Sequence, residues 1–324
     1  MSGRFYAFLV VISNIFGAPV FAVTARGIAA GYFFLFPRRA AASAGFYRAV
    51  FPERSRLYSW WCAWRQFQNF TTLFLDRYVF GNRGDITYTS QGREHLFNAV
   101  NQGRGGIMLI SHMGNWEMAA RLLREMIPEL RLMIIMGRRA KEQIERMQKE
   151  DLSANGIRII VADQDAGTPF ALVEVASFLQ AGGFVAMAGD KLWRSDQRAV
   201  SIRIFKHTAR LPEAPFTLAL LSSVPLYVFF SSIRGRGRHH FSISDPLTIK
   251  AEERSLRKSA VLMTAQEYAD LLADQVRKNP LEWFHFEPFL EPEAAPACSM
   301  EERLGPAEEL SPSNTATAPS ANAR

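Results

Sequence analysis

His112 and Glu117 lie five positions apart in residues 105–123, GGIMLISHMGNWEMAARLL. An imidazole can take a proton from a hydroxyl or amine near neutral pH, and a neighbouring carboxylate can hold the ring in one tautomer. Such a pair could activate an acceptor toward an acyl group. No serine or cysteine nucleophile is needed, because the acceptor itself attacks. The spacing limits where the two can sit. Five residues along a regular helix turn a side chain by about 140°, so on one helix the two would face apart. They can meet only if His112 lies in a loop and Glu117 in the first turns of the helix that follows. The alternative is an exposed loop histidine and a helix-start glutamate that favours the macrodipole.

The flanking elements fit the first arrangement. The apolar run 107–111 reads as a strand, and 116–127 reads as a helix closed by Pro128. Between them, Met113-Gly114-Asn115 carry no strand pattern. Gly114 permits backbone angles that other residues avoid, and Asn115 is a suitable helix N-cap. A strand that ends in a sharp loop and launches a helix presents side chains and backbone N–H groups at the carboxyl edge of a sheet, where sites of α/β proteins lie. The amides near Asn115, and Arg138 after the strand expected over 130–136, are candidate donors to an oxyanion. Arg138 and Arg139 read equally well as a solvated helix start.

Beyond residue 85 strands and helices alternate. Strands are expected over 85–89, 107–111, 130–136, 157–162, 184–188, 226–231 and 239–244, and 200–205 reads as a strand or hairpin arm. Helices are expected over 91–101, with Ser90 as the candidate cap, and over 116–127, 141–152, 169–180, 215–221 and 263–278. This rhythm predicts a single α/β domain, residues 38–290, with a mainly parallel sheet covered on both faces. Ahead of it, a helix over 39–50 precedes an aromatic stripe over 57–79 that includes Trp60, Trp61, Trp64 and Phe67. Core packing is the favoured reading of that stripe, an acyl-chain slot or lipid contact the other. From residue 291 the chain turns rich in Pro, Ala, Ser, Glu and Thr, and is expected to be a disordered tail.

The chain has 324 residues, 48% hydrophobic and 12% aromatic, enough for a sizeable core. Cys62 and Cys298 fit no metal spacing and no disulfide framework, which suits a reducing compartment. No Walker loop, Rossmann glycine fingerprint or HExxH motif is present, and no cofactor or metal is expected. The formal charge of +7 attracts anionic partners: nucleic acid, lipid headgroups or an acidic carrier. The amino terminus narrows that choice. No charge occurs from Phe5 to Ala25, near the length needed to cross a hydrocarbon core, although Ser13, Asn14, Gly17 and Pro19 interrupt it. Tyr32, Phe33, Phe34 and Phe36 beside Arg38 and Arg39 form an aromatic-basic anchor. Residues 1–37 are therefore expected to attach to a membrane, and nucleic acid is not the expected partner.

The string ISHMGNWE resembles the H-x4-D/E motif of the lysophospholipid acyltransferase superfamily, in the HxGNWE form of its lipid A biosynthesis branch. Phe51-Pro52-Glu53, Ala188-Gly189-Asp190, residues 200–205, Arg210-Leu211-Pro212-Glu213-Ala214-Pro215 and Asn279-Pro280-Leu281-Glu282-Trp283 are similar to other blocks of that branch. The resemblance implies a membrane-associated acyltransferase at the cytoplasmic side of a bacterial inner membrane. The acyl donor would be a thioester of acyl carrier protein or coenzyme A, and the acceptor a lipid hydroxyl or amine. His112 would be the general base oriented by Glu117, with Asn115, Arg138, Asp190 and Lys191 on the substrate side. Asp190 is expected to contact the acceptor or brace the site. Two departures from the branch stand out: Lys191 where an arginine is usual, and Phe205-Lys206-His207 where Phe-Phe-Gly is usual. A hydrolase using the same dyad, or a non-catalytic membrane-binding protein, are the competing readings.

Overall fold

The computed structural model describes residues 17–83, 86–136, 157–161, 169–194, 196–235 and 237–291, with positions 11, 13 and 15. Arg138, the expected helix over 141–152 and the chain from 292 onward lie outside them.

After helical residues Val11, Ser13 and Ile15, three further helices precede the sheet. Gly17 turns the chain at φ 89° into α1 (Ala18–Leu35), and Pro37 opens α2 (Pro37–Val50). Proline cannot continue the hydrogen-bond ladder of the preceding helix, and the two axes meet at 91°. Both pack on the long α3 (Arg56–Arg83). Phe33 is the plug of this corner, with edge-to-face contacts to Trp60, Trp64 and Phe67 at 5.3–6.2 Å. Among the described residues no single helix is long and apolar enough to cross a membrane. The bent pair reaches that composition only together.

The rest is the expected α/β layer: β1 (Thr87–Gln91), α4 (Arg93–Asn101), β2 (Gly106–Ile110), α5 (Trp116–Met126), β3 (Leu132–Met136), β4 (Arg158–Val161), α6 (Pro169–Gln180), β5 (Phe184–Ala188), β6 (Ala199–Ile204), β7 (His207–Pro212), α7 (Ala214–Ser222), β8 (Leu226–Gly235), β9 (Arg238–Ile243) and α8 (Arg257–Lys278). The seven-stranded sheet has the order β1-β9-β8-β2-β5-β3-β4. Strands β8, β2, β5, β3 and β4 are mutually parallel, and β9 with β1 runs the other way. Alternate residues of β2 enter different cores: Ile107 and Leu109 on one face, Met108 on the other. Burial on both faces explains why this strand reads as a continuous apolar run.

Two expectations are corrected, at the starts of α4 and α8. Ser90 does not cap a helix; it lies in β1, and Gly92 at φ 76° makes the turn into α4. A Cβ at Gly92 would overlap the Ile243 carbonyl, so the turn hugs β9 too closely for any other residue. Residues 200–205 form the expected hairpin arm: β6 pairs antiparallel with β7 in a separate two-stranded sheet. At its turn Phe205 and Lys206 both take positive φ, 50° and 68°, the pattern of a tight hairpin made without glycine. Phe205 is held there by Phe46 and by Arg277 over its ring, and the Lys206 carbonyl accepts from Arg203 at 2.9 Å. Finally, α8 begins six residues before the expected start. Its first turns leave Leu262 and Met263 exposed, which hides the helical period.

Candidate active site

The β2–β5 register pairs Ile110 with Ala188, and each chain runs two residues further, to His112 and Asp190. Gly189 extends the ladder by donating to the Ile110 carbonyl at 2.9 Å. Two adjacent parallel strands thus deliver an imidazole and a carboxylate to the same height at the carboxyl edge. His112 Nδ1 lies 2.8 Å from Asp190 Oδ1, and the His112 amide donates to Asp190 Oδ2 at 2.7 Å. A carboxylate only accepts, so Nδ1 carries a proton, and in the neutral ring Nε2 keeps its lone pair. The Asp190 side chain is fully buried, while His112 remains 31% exposed. Burial alone would raise the Asp190 carboxyl. The His112 imidazole and its hydrogen bonds, with a contribution from His285, outweigh it and hold the group well below the usual carboxylate range.

The strand-loop-helix around His112 forms as the sequence predicts. Asn115 Oδ1 accepts the Met118 amide at 3.1 Å as the N-cap of α5. Gly114 has φ 57°, and a Cβ there would overlap the Ser231 carbonyl of β8. Asn115 Nδ2 donates to Asp76 Oδ2 at 3.3 Å, tying the loop to α3. Glu117 sits in the first turn of α5, with Arg121 one turn on at 3.7 Å. The partner on His112 Nδ1 is therefore Asp190, where the sequence assigned that position to Glu117. Strand register decides this, and sequence spacing does not reveal register. Lys191 pairs with Glu287 at 3.4 Å, so its ammonium is directed to the closing segment.

That closing segment, residues 279–287, crosses the loop as a strap. Met113 bridges to Trp283, Gly114 donates to the Glu282 carbonyl at 2.9 Å, and Phe284 donates to the His112 carbonyl at 2.7 Å. Glu282 Oε2 accepts the Ile233 amide at 2.8 Å, and burial pushes its carboxyl up to about 7. The indole N–H of Trp283 donates to Asp190 Oδ2 at 2.8 Å. His285 stacks on Trp283 and meets His112 edge-on with centroids 6.4 Å apart. Burial pushes its imidazole down to about 4, so it is neutral at physiological pH. Sequence reasoning noted the block 279–283 but gave it no role. Its signal was a dense run of Trp, Phe and His close behind a proline, in a chain whose site appeared complete without it.

A narrow apolar crevice lies under α5, lined by Met108, Ile110, Trp116, Ala120, Leu123 and Phe229 among others. Its volume is about 10 Å³. A pocket for a small molecule needs on the order of 300 Å³, so a fatty chain does not fit there in this conformation.

An imidazole with one nitrogen anchored by a buried carboxylate, at the open edge of a mainly parallel sheet, is the arrangement an acyl-transferring enzyme requires. The family described as bacterial lipid A biosynthesis acyltransferase matches residues 5–290. The chain belongs to that family and is a lipid acyltransferase. Comparison with curated proteins yields no match.

Proposed function

We propose that the protein moves a fatty acyl group from a thioester of acyl carrier protein or coenzyme A to a hydroxyl or amine of a lipid acceptor. His112 is the general base. The hydrogen bond between its Nδ1 and Asp190 carries this reading, because it leaves Nε2 unprotonated on a partly exposed ring. Nε2 takes the proton as the acceptor attacks the thioester carbonyl. The tetrahedral intermediate then expels the thiolate, which recovers the proton from the imidazolium. Asp190 supports that imidazolium and fixes the tautomer. The first-turn amides of α5 are the proposed oxyanion donors, aided by Arg138. Glu117, on that same turn, acts beside the acceptor. Asn115, Asp190 and Lys191 act behind the acceptor rather than on it: Asn115 caps α5, Asp190 holds the base, and Lys191 faces the strap through Glu287.

The proposed setting is the cytoplasmic face of a bacterial inner membrane, with residues 1–37 as the anchor. Charge and exposure support it. Residues 1–75 hold eight Arg, no Lys and one acid, Glu53, a net +7 that equals the charge of the whole chain. On the helices of this region Phe34, Leu35 and Leu57 are 72%, 77% and 81% exposed, next to exposed Trp60 and Trp61. Arg39, Arg54 and Arg65 lie over rings of the same surface. Exposed aromatics ringed by arginines suit an anionic lipid surface.

Lipid mass spectrometry of cells with and without the protein tests the reading. The expected result is one new acyl ester or amide, absent with His112→Ala. Free fatty acid with no acylated lipid would instead indicate a hydrolase.

A further inference from the structure

Trp283 stands 93 residues beyond Asp190, and its N–H donates to the same Oδ2 that accepts the His112 amide. The ring is 1% exposed, enclosed by Phe46, Phe289 and His285 with centroids 4.6–4.9 Å away. Its backbone is clamped by two helices of the amino-terminal corner. Gln66 of α3 donates to the Trp283 carbonyl, Asn69 of α3 to the Leu281 carbonyl at 3.3 Å, and Tyr47 of α2 to the Pro280 carbonyl at 2.7 Å. A buried indole needs an acceptor, and a backbone carbonyl would serve if packing were its whole role. Here the acceptor is the carboxylate that holds the base.

We propose that Trp283 is a positioning residue for His112, its indole N–H fixing the rotamer of Asp190 and drawing negative charge away from the His112 hydrogen bond. The inference rests on His112 being the base. Three donors share one carboxylate. Removing one leaves more negative charge on the carboxylate facing the imidazole, which then binds its proton more tightly and yields it less readily to the leaving thiolate. The other ionisable groups around the pair are His285 and Glu287 on the strap, Lys191 beside Asp190, and Tyr268 from α8. Trp283→Phe keeps each of these groups and leaves an aromatic ring to pack against His285.

The test uses the full chain in detergent micelles, with radiolabelled fatty acyl-coenzyme A as donor and a total bacterial lipid extract as acceptor. In Trp283→Phe the acid limb of the kcat profile is expected to move up by about one pH unit, with kcat about tenfold lower and KM within about twofold. Phe46→Leu loosens the packing on the same indole but keeps its N–H; it should lower Tm and leave the limb in place. An unmoved limb in Trp283→Phe overturns the proposal, even if kcat falls. If that variant does not fold, the indole protons of the six tryptophans are followed by NMR in Asp190→Asn. One should move upfield while the others hold, and no response overturns the proposal. A folded, active His112→Ala would refute the base itself, whatever Trp283 does.

Discussion

Two histidine–aspartate pairs involve the two ends of the loop 112–115, one at His112 and one through Asn115, and they behave oppositely. His112 and Asp190 meet at 2.8 Å, and donors from the His112 backbone and Trp283 join them on the carboxylate. His239 Nε2 and Asp76 Oδ2 are 3.5 Å apart, both buried, and neither ring nitrogen of His239 has a hydrogen-bond partner. Desolvation dominates there. It pushes Asp76 up to about 6, against the Asn115 hydrogen bond, and His239 down to about 4. The residue types are the same, but the number of donors and the access of the ring to solvent differ. The first pair keeps a charged carboxylate beside a reachable imidazole. In the second, both groups are driven toward neutrality, and the pair braces the cap of α5 through Asn115.

Substitutions at the two pairs should therefore separate cleanly. His112→Ala is expected to cost at least about 10⁴-fold in turnover because the base is lost, and to lower Tm as well, because the buried Asp190 carboxylate loses the imidazole that stabilises its charge. Gly114→Ala comes next. The new Cβ meets the Ser231 carbonyl at a left-handed backbone position, so roughly 2–3 kcal/mol of stability should go in denaturant melts. Turnover should fall about 100-fold as His112 shifts. Glu117→Gln leaves the Nδ1 partner in place and should cost about tenfold in kcat without moving the acid limb. Asp76→Asn should spare activity and act on stability alone. A carboxyl whose folded pKa is raised costs stability as pH climbs from about 4 to 6. The gain of Asp76→Asn over the native chain should be near zero at pH 4 and about 2–3 kcal/mol above pH 7, read from urea melts at each pH.

Much of this was legible in the sequence because it is local. Asn115 as the cap, Gly114 as the turn and the bounds of α6 and β5 follow from residues within a few positions of one another. The partner of His112 was not legible in that way. Asp190 reaches it through the β2–β5 register across 78 residues, and Trp283 reaches Asp190 through a strap whose path no periodicity encodes. Glu117 drew the orienting role by proximity in sequence. Strand β7 escaped notice because its turn uses Phe205 and Lys206 at positive φ, where a glycine or asparagine would have marked it.

Asp190→Asn tests the account most directly. The amide would turn its NH₂ toward Nδ1 and force the tautomer that protonates Nε2, while shape and burial stay the same. In transfer from a labelled acyl thioester by the folded full chain, kcat should fall by about 10³–10⁴-fold with KM little changed. A folded Asp190→Asn protein that transfers within tenfold of the native rate would contradict it.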